Sequence, residues 1–356
     1  MSRFLSKRLF ALSPYVAGEQ PQDMQYVKLN TNESPFPPSP GVIRRLSEAE
    51  AGKLNLYPDP EGRVLRQKLA EYYGLKSENV VLGNGSDEIL SFAFSAFCDG
   101  ENPVTYPATS YGFYPVFAAL YGLRAREVPL REDFSIDPEG YKQNDAMVVI
   151  ANPNAPTGLA LDLDEIEGIL QANPDRVVVV DEAYVDFGAQ SAVALIPRYE
   201  NLLVVQTFSK ARSMAGARLG YGLGSEALIC DLQTIRNSTN PYNVNRLTLL
   251  AGEAALDDAA YYEENCRTIQ KTRAFAAEEL KKRGFVLTNS LANFLFAKCP
   301  GLPGKRYYQL LKERGVLVRH FDKPVTTDYV RITVGSLAQM QRLLEATDEI
   351  LARPED

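Results

Sequence analysis

Short apolar runs that end in reactive polar residues restrict the fold of this sequence more than any other feature. Leu202-Leu203-Val204-Val205-Gln206-Thr207-Phe208-Ser209-Lys210 is one such run. Its Val- and Leu-rich part reads as a buried strand, and its end delivers Thr, Ser and Lys to a sheet edge. Val177-Val178-Val179-Val180-Asp181-Glu182-Ala183-Tyr184 reads as a second buried strand, ending in an acid. Ala146-Met147-Val148-Val149-Ile150-Ala151-Asn152 is a third, and runs into the Pro/Gly/Asn loop Pro153-Asn154-Ala155-Pro156-Thr157-Gly158. Val80-Val81-Leu82-Gly83-Asn84-Gly85-Ser86-Asp87 gives way to a glycine-rich turn and then a helix from Asp87 to Phe97. Further strands are expected at 104–106, 125–129 and 219–223, and helices at 62–73, 114–121 and 163–172. This alternation predicts an α/β fold with a large, doubly wound, mostly parallel sheet. Ligands of such sheets bind beyond the carboxyl ends of the strands.

The residues at those ends carry a coherent chemistry. A lysine in a dry site near other cations can lose its proton and attack a carbonyl to form a Schiff base. Lys210 is that candidate, although alone it reads as a surface lysine at a strand end. Thr207 and Ser209 offer hydroxyls to a phosphate, and Arg218 offers a planar cationic fork to the same anion. The free N–H groups at the helix start after Gly85 form an anion site. Ser86 and Asp87 are expected there, as N-caps and as part of that site. Asp181 either caps a loop or holds a pyridine nitrogen protonated, so that the ring accepts electrons. Tyr184 and Asn152 can each hold a ring oxygen; otherwise they are a loop tyrosine and a turn asparagine. A phosphate cradle, a ring-nitrogen partner, ring-oxygen donors and a lysine together make the inventory that pyridoxal 5'-phosphate needs.

Asn152-Pro153-Asn154-Ala155-Pro156-Thr157-Gly158, Asp181-Glu182-Ala183-Tyr184, Ser209-Lys210 and Gly216-Ala217-Arg218-Leu219-Gly220 occur in that order. In order and spacing they resemble the fold-type I aminotransferases. Leu29-Asn30-Thr31-Asn32-Glu33-Ser34-Pro35 resembles the entrance segment of their histidinol-phosphate aminotransferase subfamily, with Ser34 where that group usually has Asn. The resemblance implies a pyridoxal-phosphate enzyme with catalytic Lys210, Asp181 and Tyr184. It implies cofactor contacts from Gly85, Ser86, Asp87, Asn152, Thr207, Ser209 and Arg218. It also implies an aromatic stacked on the ring, for which Tyr111 is chosen over Tyr106. Tyr57, in Tyr57-Pro58-Asp59, is expected to reach the cofactor phosphate of a partner subunit in a homodimer. Tyr15, Asn32, Arg319 and Arg331 are expected at the substrate, and the role of Asn293 stays open. The implied division is an arm and entrance segment at 1–40, a large cofactor-binding domain at 41–245 and a smaller α+β domain at 246–356. The first 25 residues are read as a helix or arm followed by a loop.

The implied reaction is transamination of L-histidinol phosphate with 2-oxoglutarate. An aromatic amino-acid aminotransferase and a threonine-phosphate decarboxylase share the scaffold. A cofactor-binding regulatory module would normally carry a DNA-binding domain, for which this acidic chain leaves no room. The 356 residues carry a net charge of -7, which argues against a nucleic-acid or anionic membrane partner. Four scattered cysteines read as reduced thiols of a cytoplasmic protein. A single histidine, His320, excludes a His-rich metal site and leaves a Ser-His-Asp hydrolase hard to support. No run reads as a signal peptide or membrane span.

Overall fold

The computed structural model describes residues 5–6, 9, 12–142 and 145–352. In chain order the elements are β1 (Val27–Lys28), α1 (Pro40–Arg45), α2 (Glu48–Ala51), α3 (Arg63–Tyr73), β2 (Val80–Asn84), α4 (Ser86–Phe97), β3 (Val104–Pro107), α5 (Tyr114–Tyr121) and β4 (Ala125–Val128). Then come β5 (Met147–Ala151), α6 (Leu163–Ala172), β6 (Val178–Asp181), β7 (Leu202–Thr207), β8 (Leu219–Gly224), α7 (Glu226–Thr239), α8 (Arg246–Asp257) and α9 (Ala259–Lys282). The chain continues through β9 (Val286–Leu287), β10 (Phe294–Lys298), α10 (Gly304–Glu313), β11 (Val316–Leu317), β12 (Arg319–His320), β13 (Tyr329–Thr333) and α11 (Leu337–Ala352).

Seven strands form the large sheet in the order β2-β8-β7-β6-β5-β3-β4. β8 runs antiparallel to both its neighbours, and the remaining pairings are parallel. The period-2 alternation of strand side chains sorts the apolar residues onto two faces. Val148, Ile150, Val178, Val180, Leu202 and Val204 meet residues of α3, α6 and α8 on one face. Met147, Val149, Val179, Leu203 and Val205 meet residues of α4, α5 and α7 on the other. The runs are therefore apolar throughout, because neither face is solvated.

Local signals set the helix limits. Asp162 accepts from the Glu165 amide at 2.9 Å, and the Glu165 carboxylate accepts from the Asp162 amide at 2.9 Å, closing a capping box at the start of α6. α3 stops at Gly74, whose φ of +67° takes the left-handed turn a helix end requires.

A second sheet, β12-β13-β10-β9, is antiparallel. Its apolar face packs with α9, α10 and α11. The run 316–320 serves two sheets: β11 pairs with β1, while β12 pairs with β13. Residues 12–25 are an extended arm without helix; the helix alternative for the first residues falls partly outside the described residues. Leu29 belongs to the second core, whereas α8 and Tyr262 belong to the first, and the second core resumes at Cys266. We propose that the two units expected from the sequence meet within α9, with the entrance segment belonging to the second.

Candidate active site

The carboxyl ends of β5, β6 and β7 open into a cleft of about 530 Å³, which the arm and the second sheet close from the opposite side. It is lined by Tyr15, Asn32, Ser86, Asp87, Tyr111, Asp181, Tyr184, Thr207, Ser209, Lys210, Arg218, Arg319 and Arg331, residues that sequence reasoning had singled out.

Lys210 lies three residues beyond the end of β7. Its Nζ donates to the Thr31 carbonyl at 3.2 Å. Burial, reinforced by the Arg331 charge, lowers its pKa to about 8. The amine is therefore about half free base near pH 8, where an exposed lysine would be almost wholly protonated. Asp181, at the end of β6, is 4 % exposed. It accepts from the Tyr114 hydroxyl at 2.8 Å and from the Ala183 amide at 3.3 Å. Burial raises its pKa to about 6 against these hydrogen bonds. A buried carboxyl whose partners are a phenol and an amide suits a protonated ring nitrogen, which would hold it ionised. Tyr184 sits beside both, its ring 5.9 Å from Lys210 Nζ and edge-on to Phe294 at 5.0 Å.

The opposite end of the cleft suits a phosphate. Arg218 reaches Asp87 at 3.1 Å and Ser209 Oγ at 3.5 Å. The Tyr111 hydroxyl donates to the other Asp87 oxygen at 2.7 Å. Gly85 has a φ of +79°, and a Cβ there would stand 2.5 Å from Arg218 Nη2. A Cβ on Gly220 would stand 2.3 Å from the Ser86 amide nitrogen. Gly220 thus lets β8 approach the start of α4 this closely, and Gly85 supplies the positive φ of the turn. The N-cap of α4 is Gly85, so Ser86 and Asp87 are the first helical residues and not the caps expected of them. The donor set, the glycine cradle and the isolated carboxyl fit pyridoxal phosphate in one orientation: phosphate at Ser209 and Arg218, ring nitrogen at Asp181.

At the arm side, Arg319 and Arg331 face each other across the β12–β13 ladder. Arg319 donates to the carbonyls of Ala17 and Val16 at 3.1 and 2.9 Å. Arg331 donates from Nη2 to the Asn30 carbonyl at 3.1 Å and packs over Phe294 and Phe321, while its buried Nε has no partner among the described residues. Like charges directly opposite on a sheet repel, so this pair favours an anion between or beside them. Tyr15 stacks on Phe113 at 4.5 Å over the same opening.

Several expected residues stand elsewhere. Asn152 has both ends of its amide on the Leu161 backbone, at 3.2 and 2.8 Å, and braces the loop away from the cleft. Thr207 lines the cleft, but its hydroxyl donates to the Leu219 carbonyl and accepts from the Ser209 amide, which holds the turn. Tyr106 is in the core against Tyr114, whereas Tyr111 lines the cleft. Tyr57 is 77 % exposed, stacks on Tyr242 at 4.4 Å and is not among the residues lining the cleft of its own chain. Sequence reasoning missed Tyr114, which lies 67 residues before its partner Asp181 in the chain and within an apolar helical pattern. It left Asn293 open; its Nδ2 donates to the Asn32 carbonyl at 3.1 Å. A polar residue inserted between Ala292 and the apolar strand Phe294–Lys298 was the available signal.

The raised Asp181 pKa makes stability of the cofactor-free protein pH-dependent. The folded carboxyl keeps its proton to about pH 6, and an unfolded one to about 3.9. Between these values the native state binds more protons, so stability falls as pH rises, by roughly 3 kcal/mol in all. Urea unfolding of the cofactor-free Asp181→Asn variant should show a smaller loss of stability across that window than the native protein. An equal loss in both would show that Asp181 does not titrate this way.

Comparison with known proteins bears on the same cleft. Residues 24–346 match the family model for aminotransferase class I and II. The histidinol-phosphate aminotransferase of Syntrophus aciditrophicus is 50 % identical over 347 residues, covering 96 % of each chain. That of a Marinomonas species is 48 % identical over 349 residues, covering 97 % of this chain and 99 % of the relative. The crystal structure of histidinol-phosphate aminotransferase from Sinorhizobium meliloti in complex with pyridoxal-5'-phosphate superposes with a TM-score of 0.89 at 26 % identity, covering 99 % of this chain and 98 % of that one. With matches that run nearly end to end and a cleft furnished in the same sense, the chain belongs to the aminotransferase class I and II family, among its histidinol-phosphate aminotransferases.

Proposed function

We propose that this protein transfers the amino group of L-histidinol phosphate to 2-oxoglutarate, giving imidazoleacetol phosphate and glutamate, a step of histidine biosynthesis. The observation that carries the substrate assignment is the Arg319–Arg331 pair, opposed in register at the arm side of the cleft that holds Lys210. Two adjacent guanidinium groups suit a phosphate, and Arg binds such anions through paired hydrogen bonds. The near full-length likeness to histidinol-phosphate aminotransferases supports the same substrate.

When bound, pyridoxal phosphate supplies an electrophilic carbon and a ring that accepts electrons from the substrate. Ser209, Arg218, Gly85 and the first turn of α4 would hold its phosphate. Asp181 would hold the ring nitrogen, Tyr184 the ring oxygen, and Tyr111 would pack on the ring. Lys210 would hold the cofactor's electrophilic carbon and would move a proton at the substrate carbon that bears the nitrogen. One amine thus serves as base and then as acid, a task for which a pKa near 8 is suited. The Thr31 carbonyl gives Nζ a fixed acceptor. Tyr15 and Phe321 exclude water beside the arginines.

The same reading makes the protein a cytoplasmic homodimer in which Tyr57 completes the partner's site. Supporting it are the exposure of Tyr57 and of its stacking partner Tyr242, and that of Leu54 and Leu56 just before it in the chain. Among the described residues, no helix is long and apolar enough to cross a membrane.

Four experiments test these assignments. The purified protein should be yellow, should bleach when L-histidinol phosphate is added without a keto acid, and should recover with 2-oxoglutarate. Lys210→Ala should lose more than about a hundredfold in turnover. Bleaching by tyrosine or phenylalanine alone would indicate an aromatic aminotransferase, and a colourless protein that takes up no pyridoxal phosphate would remove the cofactor assignment. Arg319→Met should raise KM for histidinol phosphate by about 10- to 100-fold, the value of charge-assisted hydrogen bonds, and leave KM for an unphosphorylated aromatic amine little changed. Tyr57→Ala should bind pyridoxal phosphate about tenfold more weakly, as loss of one hydrogen bond to a charged group implies. Hybrids with Lys210→Ala subunits should then regain one site of native affinity; hybrids without recovery would place Tyr57 outside the partner's site.

A further inference from the structure

Asn32 is buried, is not glycine, and has a φ of +54° in the left-handed region. Asparagine tolerates that conformation better than most residues, yet it still needs support from its surroundings. The support comes from β13 and from the residue before β10. The Asn32 backbone N–H donates to Thr333 Oγ1 at 3.0 Å. Asn293 Nδ2 donates to the Asn32 carbonyl at 3.1 Å, and the Asn293 carbonyl accepts from the Val334 amide at 2.8 Å. Asn293 is fully buried, and its Oδ1 has no partner among the described residues. A buried acceptor left in that state is costly, and an apolar residue would avoid it. The bond to Asn32 is what Asn293 provides in return.

The side chain of Asn32 continues the chain of donors. Thr333 Oγ1 donates to Asn32 Oδ1 at 3.0 Å, and Asn32 Nδ2 donates to the Tyr184 hydroxyl oxygen at 3.0 Å. Hydrogen-bond bookkeeping fixes this orientation of the amide. Turning it over would aim two N–H groups at Thr333 Oγ1 and deprive the threonine proton of its acceptor. Each hydroxyl has a single proton, so the direction propagates. Thr333 accepts from the Asn32 backbone and gives its proton to Oδ1. Tyr184 accepts from Nδ2 and must give its own proton elsewhere. Tyr184 is packed edge-on to Phe294, so the open side is the cleft.

We propose that Asn293 and Thr333 are positioning residues that orient the Asn32 amide and thereby direct the Tyr184 phenol proton into the cleft. The inference rests on the reading above, in which Tyr184 serves a cofactor ring oxygen. It makes Tyr184 a donor toward that oxygen by construction, before any ligand arrives. The charged groups that face Tyr184 are Arg331 from β13, Lys210 after β7, Asp181 at the end of β6 and Asp87 from α4. Both carboxylates already accept from other donors, Asp181 from Tyr114 and Asp87 from Tyr111 and Arg218.

The test is a pH titration of the visible absorption of the protein loaded with pyridoxal phosphate, in the absence of substrate. A donor to the ring oxygen stabilises negative charge there. Without it, the proton shared between that oxygen and the lysine-linked nitrogen is held to higher pH. Thr333→Val should therefore move the midpoint up by about one pH unit, as expected for one hydrogen bond to a charged oxygen. Thr333→Ser should restore the native midpoint. Tyr184→Phe should move it in the same direction, and Thr333→Val added to Tyr184→Phe should produce no further shift, because both act through one proton. Asn293→Ala should shift it in the same direction by less. Thermal unfolding of the cofactor-free variants reports any general loss of fold; a midpoint shift seen in variants that retain the native Tm supports the proposal. A native midpoint in Thr333→Val alongside a moved midpoint in Tyr184→Phe would overturn it, and so would additive shifts in the double variant. Failure of the native protein to take up pyridoxal phosphate would overturn the functional reading and this inference together.

Discussion

The seven-stranded sheet is covered by helices on both faces, and its inner strands have no solvated side on which a polar residue can stand. The side chains that these inner strands give to the chemistry must therefore lie where a strand ends. Asp181 closes β6, Lys210 lies three residues beyond β7, and Ala151 at the end of β5 lines the same cleft. The lysine is brought into a dry place by the rigid core beneath it. Its amine is easier to deprotonate for the same reason that the strand is buried: water is excluded from both. Fold and reactivity thus share one physical cause.

That enclosure acts oppositely on the two titrating groups. Burial lowers the affinity of Lys210 for its proton and raises that of Asp181, because in each case the charged form is disfavoured. A cation at the ring-nitrogen position would reverse the second effect and leave the first. Glu182, next in sequence to Asp181, faces the other way. It is held by Ser191, the Ala192 amide and Gln206, and burial lifts its pKa to about 7. Two adjacent acids therefore serve opposite sides of the sheet edge, one in the cleft and one tying β6 to β7.

The central strands were legible because nothing competes with their pattern: Val178–Asp181 and Leu202–Thr207 are apolar until the residue that matters. The cleft residues Lys210, Asp181, Tyr184 and Arg218 were legible because they lie at those ends or in short motifs nearby. What sequence could not supply was the direction of a side chain. Asn152 sits at a strand end as expected, yet its amide turns to Leu161 instead of the cleft. Ser86 and Asp87 have ideal cap chemistry, but Gly85 takes the cap position, where a φ of +79° favours glycine. The split between β11 and β12 was hidden because one apolar run serves two different partners. Tyr114 and Asn293 act across long separations, where periodicity carries no information. The contributions of Thr333 and Asn293 to the entrance segment span 301 and 261 residues.

Three consecutive residues of that segment each reach a different group of the cleft: the Asn30 carbonyl meets Arg331, the Thr31 carbonyl meets Lys210, and the Asn32 amide meets Tyr184. Two of the three contacts are made by backbone atoms, which every amino acid possesses. The segment is thus tolerant of altered composition at Asn30 and Thr31, insofar as these contacts are concerned, and intolerant of altered length. Adding or removing one residue between β1 and Pro35 would shift all three partners out of phase together, as a vernier loses every coincidence when one scale slips by a single division.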